Sequence, residues 1–440
     1  MPVFKAFNSK LSITVRKGKP VSCLSLLIIM IFWASLFSSG IFAEIGNIKG
    51  QIIVVALWTI SIMFSGKNAV DTAIRNISAH SLQVALLLTF VLINAAYWLF
   101  GRGDNAAYGS FVKSLILLTL YITILVQLKN NYRNYQIATI VIISIYALIS
   151  IYVIPILFLN PFIARLYEFG ADEVPWFGSW GFFLPIGMAM PCFIAISLKQ
   201  HGFLKILLLA SCFIISVMVF LSTFAASILL LIMGCIGLYF LSVKSKKKFI
   251  LIMGGFLVVF VLFISSLDLS EIPQLEHMVY KISAMFNTTS GIDENDPRIR
   301  ASLIGISLNT FINNPLFGVG IYGARNDGNN LTGLHSGIVD GLAQYGLFGI
   351  IWYFGFLIFC CKILIRSMKF NRYDLINQAR SITCILFFIG AIINPVLIDL
   401  GFCSLVFILA FSPLNNIGVK PITQYPNREQ SSDLSNQVLH

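Results

Sequence analysis

Apolar stretches of about 15–25 residues recur twelve times along this chain, near residues 21–41, 50–66, 81–100, 108–127, 135–159, 177–198, 203–222, 227–243, 249–266, 345–365, 380–394 and 396–413. A bilayer's hydrocarbon core is about 30 Å thick and takes roughly 20 residues of α-helix to cross. Only helices and closed barrels satisfy every backbone N–H and C=O in lipid, and these stretches are continuous rather than alternating, so helices are expected. The fold class is all-α: a polytopic integral membrane protein of about twelve transmembrane helices, with one long loop between spans nine and ten. With 58% hydrophobic and 11% charged residues, the chain lacks the polar surface that a soluble protein needs.

The organisation follows from the spacing of the runs. Residues 1–20 form a basic N-terminus, 21–266 hold spans one to nine, 267–344 form the long outer loop, 345–413 hold spans ten to twelve, and 414–440 form a tail. The first run follows Lys5, Lys10, Arg16, Lys17 and Lys19 in the manner of a signal peptide, but eleven more runs come after it, so it reads as a retained signal anchor. With the N-terminus cytoplasmic, that side collects Lys67, Arg75, Lys129, Arg133, Lys199, Lys205, Lys244, Lys246 to Lys248, Arg366, Lys369, Arg372, Lys420 and Arg428. The other side keeps Lys49, Arg102, Arg165, Lys281, Arg298, Arg300 and Arg325, the asymmetry of the positive-inside rule. The net charge of +12 therefore reports topology, with membrane lipid as the partner and no nucleic acid required. The tail from Pro421 to His440, rich in Gln, Ser and Asn, is expected to be disordered.

All eight cysteines fall within the runs, and no Cys or His spacing matches a metal site, so neither a disulfide framework nor a metal or other cofactor is expected. Polar residues gather on the outer side in two places. One is the loop 160–176, with Arg165, Asp172 and Glu173. The other is the stretch of about 70 residues between Ser266 and His335, a length that is uncommon without a functional reason.

Within the long loop, Asp296-Pro297 starts a helix with a periodic run through Ile299, Leu303, Ile306 and Phe311, ending near Asn313-Asn314-Pro315. Arg298 and Arg300 lie in its first turn, where cations oppose the helix dipole. They become favourable if an anion sits there, since free backbone N–H groups and guanidinium forks converge on phosphate oxygens. Pairing with Asp293, Glu294 or Asp296 as a solvated cluster is the plainer alternative. Downstream, His335-Ser336-Gly337-Ile338-Val339-Asp340-Gly341 leads into Tyr345-Gly346-Leu347-Phe348-Gly349 at the start of a span.

The order of these pieces resembles the signature of bacterial O-antigen polymerases and ligases: Arg300, then Pro315-Leu316-Phe317-Gly318-Val319-Gly320, then His335-Ser336 with Gly346 and Gly349. The spacing from His335-Ser336 to Gly346 and Gly349 fits the ligase-type pattern. The version with Asp340, Leu342, Ala343, Tyr345 and Gly346 is more like the polysaccharide repeat-unit polymerases. Ligases usually carry Ser/Thr-Arg at an outer hairpin. Here the hairpin reads Leu221-Ser222-Thr223-Phe224-Ala225-Ala226-Ser227, without the arginine, which favours a polymerase.

The resemblance implies a lipopolysaccharide-biosynthetic glycosyltransferase of the bacterial inner membrane, with both termini cytoplasmic, acting on its periplasmic face. Donor and acceptor would be undecaprenyl-diphosphate-linked glycans, and a chain-length regulator protein is a candidate partner. Breaking the glycosidic bond leaves negative charge on the diphosphate, which arginines can stabilise without a metal. Arg300 is the first candidate, then Arg298, Arg165 and Arg325. The attacking hydroxyl must lose a proton, and histidine titrates nearest working pH, so His335 is the candidate general base. Asp340 and Ser336 are candidates for orienting His335 or binding sugar, and Tyr345 and Trp352 for stacking on sugars. Asp399 and Lys113 are ionisable groups at outer span ends, suited to function or to interfacial anchoring, and His277 reads as loop surface. The alternatives are an O-antigen ligase transferring the glycan to lipid A core and, in another class, a lipid-linked oligosaccharide flippase, against which no internal repeat speaks in favour.

Overall fold

The computed structural model describes residues 23–37, 48–100, 105–160, 163–164, 175–177, 180–243, 297–320, 332–333, 335–371, 373–397 and 399–414. Among the described residues there are thirteen helices: α1 (Cys23–Phe37), α2 (Ile48–Phe64), α3 (Lys67–Ser78), α4 (Ser81–Phe100), α5 (Asn105–Leu128), α6 (Tyr132–Leu159), α7 (Trp180–Lys199), α8 (Gly202–Leu221), α9 (Ala225–Ser242), α10 (Pro297–Asn313), α11 (Gly337–Phe370), α12 (Leu375–Ile393) and α13 (Leu400–Leu409). Eight of them, α4 to α9 with α11 and α12, are long and apolar enough to cross a membrane, and α1, α2 and α13 are shorter apolar helices. The protein is a multi-pass, all-α membrane protein. The expected span at 249–266, the loop residues Arg165 and Arg325, His277 and both chain ends lie outside the described residues.

Most expected spans are helices with ends shifted by a few residues, and three departures matter. Helix α3 is a short amphipathic element between two apolar helices, burying Ala69 and Ala73 while Asp71 and Arg75 stay on its polar side. Helix α11 starts at Gly337, eight residues before the expected 345, so the residues after His335-Ser336 are helical rather than loop. Helix α12 starts at Leu375, five residues before the expected 380, which places Arg380 inside the bundle with no exposed surface.

In the last expected span, 396–413, the helix is the ten-residue α13, led in by the non-helical stretch Asn394 to Leu397 and by Asp399. Ten residues rise only about 15 Å, half the hydrocarbon thickness. Irregular backbone at that depth is tolerated where protein surrounds it, and residues 402–409 are all buried. Both ends of α13 are capped with charge of the sign its dipole calls for. Asp399 accepts from the Phe402 N–H at 3.0 Å at the N-terminus. At the C-terminus the Arg380 guanidinium donates to the carbonyls of Ala410, at 3.2 Å, and Ser412, and to Asn377 Oδ1. The Tyr135 hydroxyl adds a bond to the Leu409 carbonyl at 2.9 Å. Asp399 thus anchors the start of a buried helix.

Candidate functional site

The sequence from Ser336 to Asp340 closes its own helix start. Ser336 is the N-cap of α11, its hydroxyl accepting from the Val339 N–H. One turn later the Asp340 carboxylate reaches back, and its Oδ2 accepts from the Ser336 N–H at 2.9 Å. Serine and aspartate are suited to this because short oxygen-bearing side chains satisfy the N–H groups a helix start leaves free. A carboxylate there also gains from the helix dipole.

The second oxygen of Asp340 leaves its own helix. Ser307 of α10 donates its hydroxyl to Asp340 Oδ1 at 2.5 Å, and the same Ser307 oxygen accepts from the Gly333 N–H at 2.8 Å. His335 therefore lies between two backbone anchors, Gly333 N and Ser336 N, whose bonds lead to one buried carboxylate, 4% exposed. On the other side of the turn the Gly337 N–H donates to the Asn394 carbonyl at 2.9 Å, so the non-helical lead of α13 backs the same segment. His335 itself is partly exposed.

Helix α10 runs from Pro297 to Asn313, as the Asp296-Pro297 start and the Asn314-Pro315 stop predict. Its packing follows the expected run only in part. Ser307 and Thr310 are buried, Leu303 and Phe311 of the apolar run are partly buried beside them, and Ile306 is exposed, as are Leu308 and Ile312. Position 300 precedes Ser307 by seven residues, about two helical turns and roughly 10 Å, so it is in register with the docked face. Position 298 falls on the opposite side. The side chains of Arg298 and Arg300 lie outside the described residues.

The two glycine-bearing motifs meet where α11 breaks. Gly346 has φ 61° and ψ −176°, a conformation essentially reserved for glycine, and it kinks the helix. The N–H groups of Leu347 and Phe348, just past the kink, donate to the carbonyls of Pro315 and Leu316 at 2.8 and 2.9 Å, and Val319 N donates to the Ala343 carbonyl at 3.0 Å. Gly318, at φ 65°, sits so close that a Cβ there would stand 2.5 Å from the Gln344 carbonyl oxygen. The Tyr97 hydroxyl of α4 donates to the Phe317 carbonyl at 2.6 Å and lies 3.3 Å from that of Tyr345, pinning both strands of the junction. Gly346→Ala is therefore expected to destabilise the protein by about 1–3 kcal/mol from backbone strain alone. A Cβ overlapping the Leu316 carbonyl adds to that. Thermal unfolding of the purified variant in detergent measures it, and an unchanged melting temperature would show that the kink is not needed.

The structure brings the segment from His335 to Asp340 together with the docked face of α10. Tyr345 is 2% exposed and packs against the rings of Phe90 and, at 6.1 Å, Tyr97, so little of it meets solvent. Both Asp340 oxygens accept hydrogen bonds, one in capping α11 and one from Ser307. Trp352 is partly buried with its indole N–H enclosed. Sequence reasoning missed Ser307 and Tyr97. A polar residue in register with position 300 is the signal that was there to be found.

Residues 210–354 match the family model described as O-antigen ligase, a stretch from α8 to the first half of α11 that contains α10, the Pro315–Gly318 turn, His335 and Gly346. No curated protein matches the chain. The match spans about a third of the chain and makes that stretch similar to the O-antigen ligase family, within a bundle of apolar helices long enough to cross a membrane.

Proposed function

We propose that the chain polymerises undecaprenyl-diphosphate-linked oligosaccharide repeat units on the periplasmic face of the inner membrane. The observation that carries this reading is the fastening of α10, with Arg300 in its first turn, to the turn that holds His335, through the Ser307–Asp340 bond. The growing glycan's diphosphate is the leaving group, held by Arg300 with help from Arg298, Arg165 and Arg325. His335 takes the proton from the acceptor sugar's hydroxyl as that oxygen attacks the donor's anomeric carbon. The bond from that carbon to the diphosphate breaks, and its electron pair leaves as phosphate charge beside the guanidinium groups. Helix N-termini favour such anions, which suits the arginines' place in the first turn.

Polymerase is preferred to ligase because the α8–α9 hairpin, with Ser222 and Thr223 buried, carries no arginine in its own sequence from Leu221 to Ser227. The ligase reading keeps a specific support, the description of the matched family model. The deciding experiment supplies the purified full-length chain with lipid-linked repeat units, with and without lipid A core. Lengthening of the lipid-linked glycan is the expected result. Transfer to lipid A core alone would establish a ligase, and passage across vesicles without bond formation would overturn both in favour of a flippase.

A further inference from the structure

The geometry points to Ser307 as a positioning residue for this reaction: its hydroxyl, bridging Gly333 N and Asp340 Oδ1, sets the arginine-bearing helix and the histidine at a fixed separation. The inference rests on the proposed roles of Arg300 and His335 and adds a residue that touches neither substrate.

Three features single this bond out. It is a side-chain hydrogen bond between α10 and α11, at 2.5 Å, with both residues buried. It is also not isolated, because the serine oxygen accepts a backbone N–H two residues before His335 while the carboxylate accepts one directly after it. A single chain of bonds, Gly333 N to Ser307 Oγ to Asp340 to Ser336 N, thus encloses the histidine on both sides. Finally, Ser307 lies about two turns from position 300 on the same helical face, so any slide or rotation of α10 that moves Arg300 must first break this bond. The end of α10 is held separately by the Pro315–Gly318 turn, and the Ser307 bond lies between that end and the arginine.

The hydroxyl contributes little apolar burial, and its loss should act mainly on alignment. Misplacement of reacting groups by about 1 Å can cost on the order of a hundredfold in rate. The signature expected is a loss in kcat with the acceptor's KM little changed, restored when the hydroxyl is restored.

The test uses full-length protein in proteoliposomes with undecaprenyl-diphosphate oligosaccharide isolated from cells in which the chain is inactive. Ser307→Ala should lower kcat at least about tenfold with KM nearly unchanged, and Ser307→Thr should recover most of the loss. Ser307→Cys, closer in volume but a weak donor, should fall with alanine, and it stands in if the alanine variant does not fold. Because the two residues share one bond, Ser307→Ala combined with Asp340→Asn should be little slower than Asp340→Asn alone. Wild-type kcat in both the alanine and cysteine variants, no recovery with threonine, or fully multiplicative losses would each overturn the positioning role. His335→Ala run alongside separates the two ideas. Activity in that variant removes the histidine's role, whereas an inactive His335→Ala beside a fully active Ser307→Ala removes only the clamp.

Discussion

Replacing His335 by alanine is expected to abolish long polymer while leaving the protein in the membrane at its usual level. Removing a general base costs about 10²- to 10⁴-fold in rate. A ladder of repeat units, each rung requiring another turnover, collapses to its lowest members under such a loss. The fold should tolerate the change, because the bonds that anchor this turn are made by the backbone N–H groups of Gly333, Ser336 and Gly337, which alanine leaves in place. His335→Gln sharpens the test, since glutamine keeps hydrogen-bonding capacity and cannot carry the proton. Glycan ladders read on gels, with membrane immunoblots for protein level, measure both. A normal ladder from stably inserted His335→Ala would sink the assignment of histidine as base.

The parts of this molecule that lipid dictates were legible in sequence, and the parts that protein–protein packing dictates were much less so. Apolar length alone places most helices, because a bilayer offers the backbone few alternatives. The start of α10 at Pro297 and its stop before Pro315 were equally readable, since proline acts on local geometry whatever surrounds it. The docked face of α10 was not. A periodic apolar run normally marks the face that packs, yet Ser307 and Thr310 are the fully buried positions, while Leu303 and Phe311 are partly buried and Ile306 is exposed. Ser307 takes that place because its partner, Asp340, comes from far along the sequence. Arg380 was hidden for a related reason. A charge near the edge of an apolar run reads as the edge itself, and only the short, buried α13 explains why a guanidinium belongs among its last carbonyls. At the site, His335 and Arg300 were found through motif, while their connection depends on Ser307 and Asp340, thirty-three residues apart and joined only by folding. Gly318 and Gly346 were visible as motif glycines, but their shared purpose, letting two backbones meet at a helix break, needs both φ angles at once.

Arg300→Lys is expected to cost nearly as much as Arg300→Ala, and this is the result that would tie the outer helix to the diphosphate. Lysine keeps the charge and loses the planar fork that meets two phosphate oxygens together. Charge-assisted hydrogen bonds contribute about 1.5–3 kcal/mol each, so losing one of them slows the reaction by roughly 10- to 200-fold, and losing two by more. The loss should fall on kcat, because the charge that the arginine meets grows as the glycosidic bond breaks. Position also predicts a ranking. Position 300 is in register with Ser307, which Asp340 holds beside the histidine turn, whereas position 298 lies about half a turn of the helical wheel away. Arg298→Ala should therefore weaken donor binding modestly, raising KM with a smaller change in kcat. Single-turnover kinetics with lipid-linked repeat units separates the two constants. Equal kcat losses at 298 and 300 would mean that the register of α10 does not select the catalytic arginine. An active Arg300→Lys would mean that the site needs a positive charge there and not a fork, in which case the helix N-terminus itself, with its free N–H groups, supplies the directional contacts to phosphate.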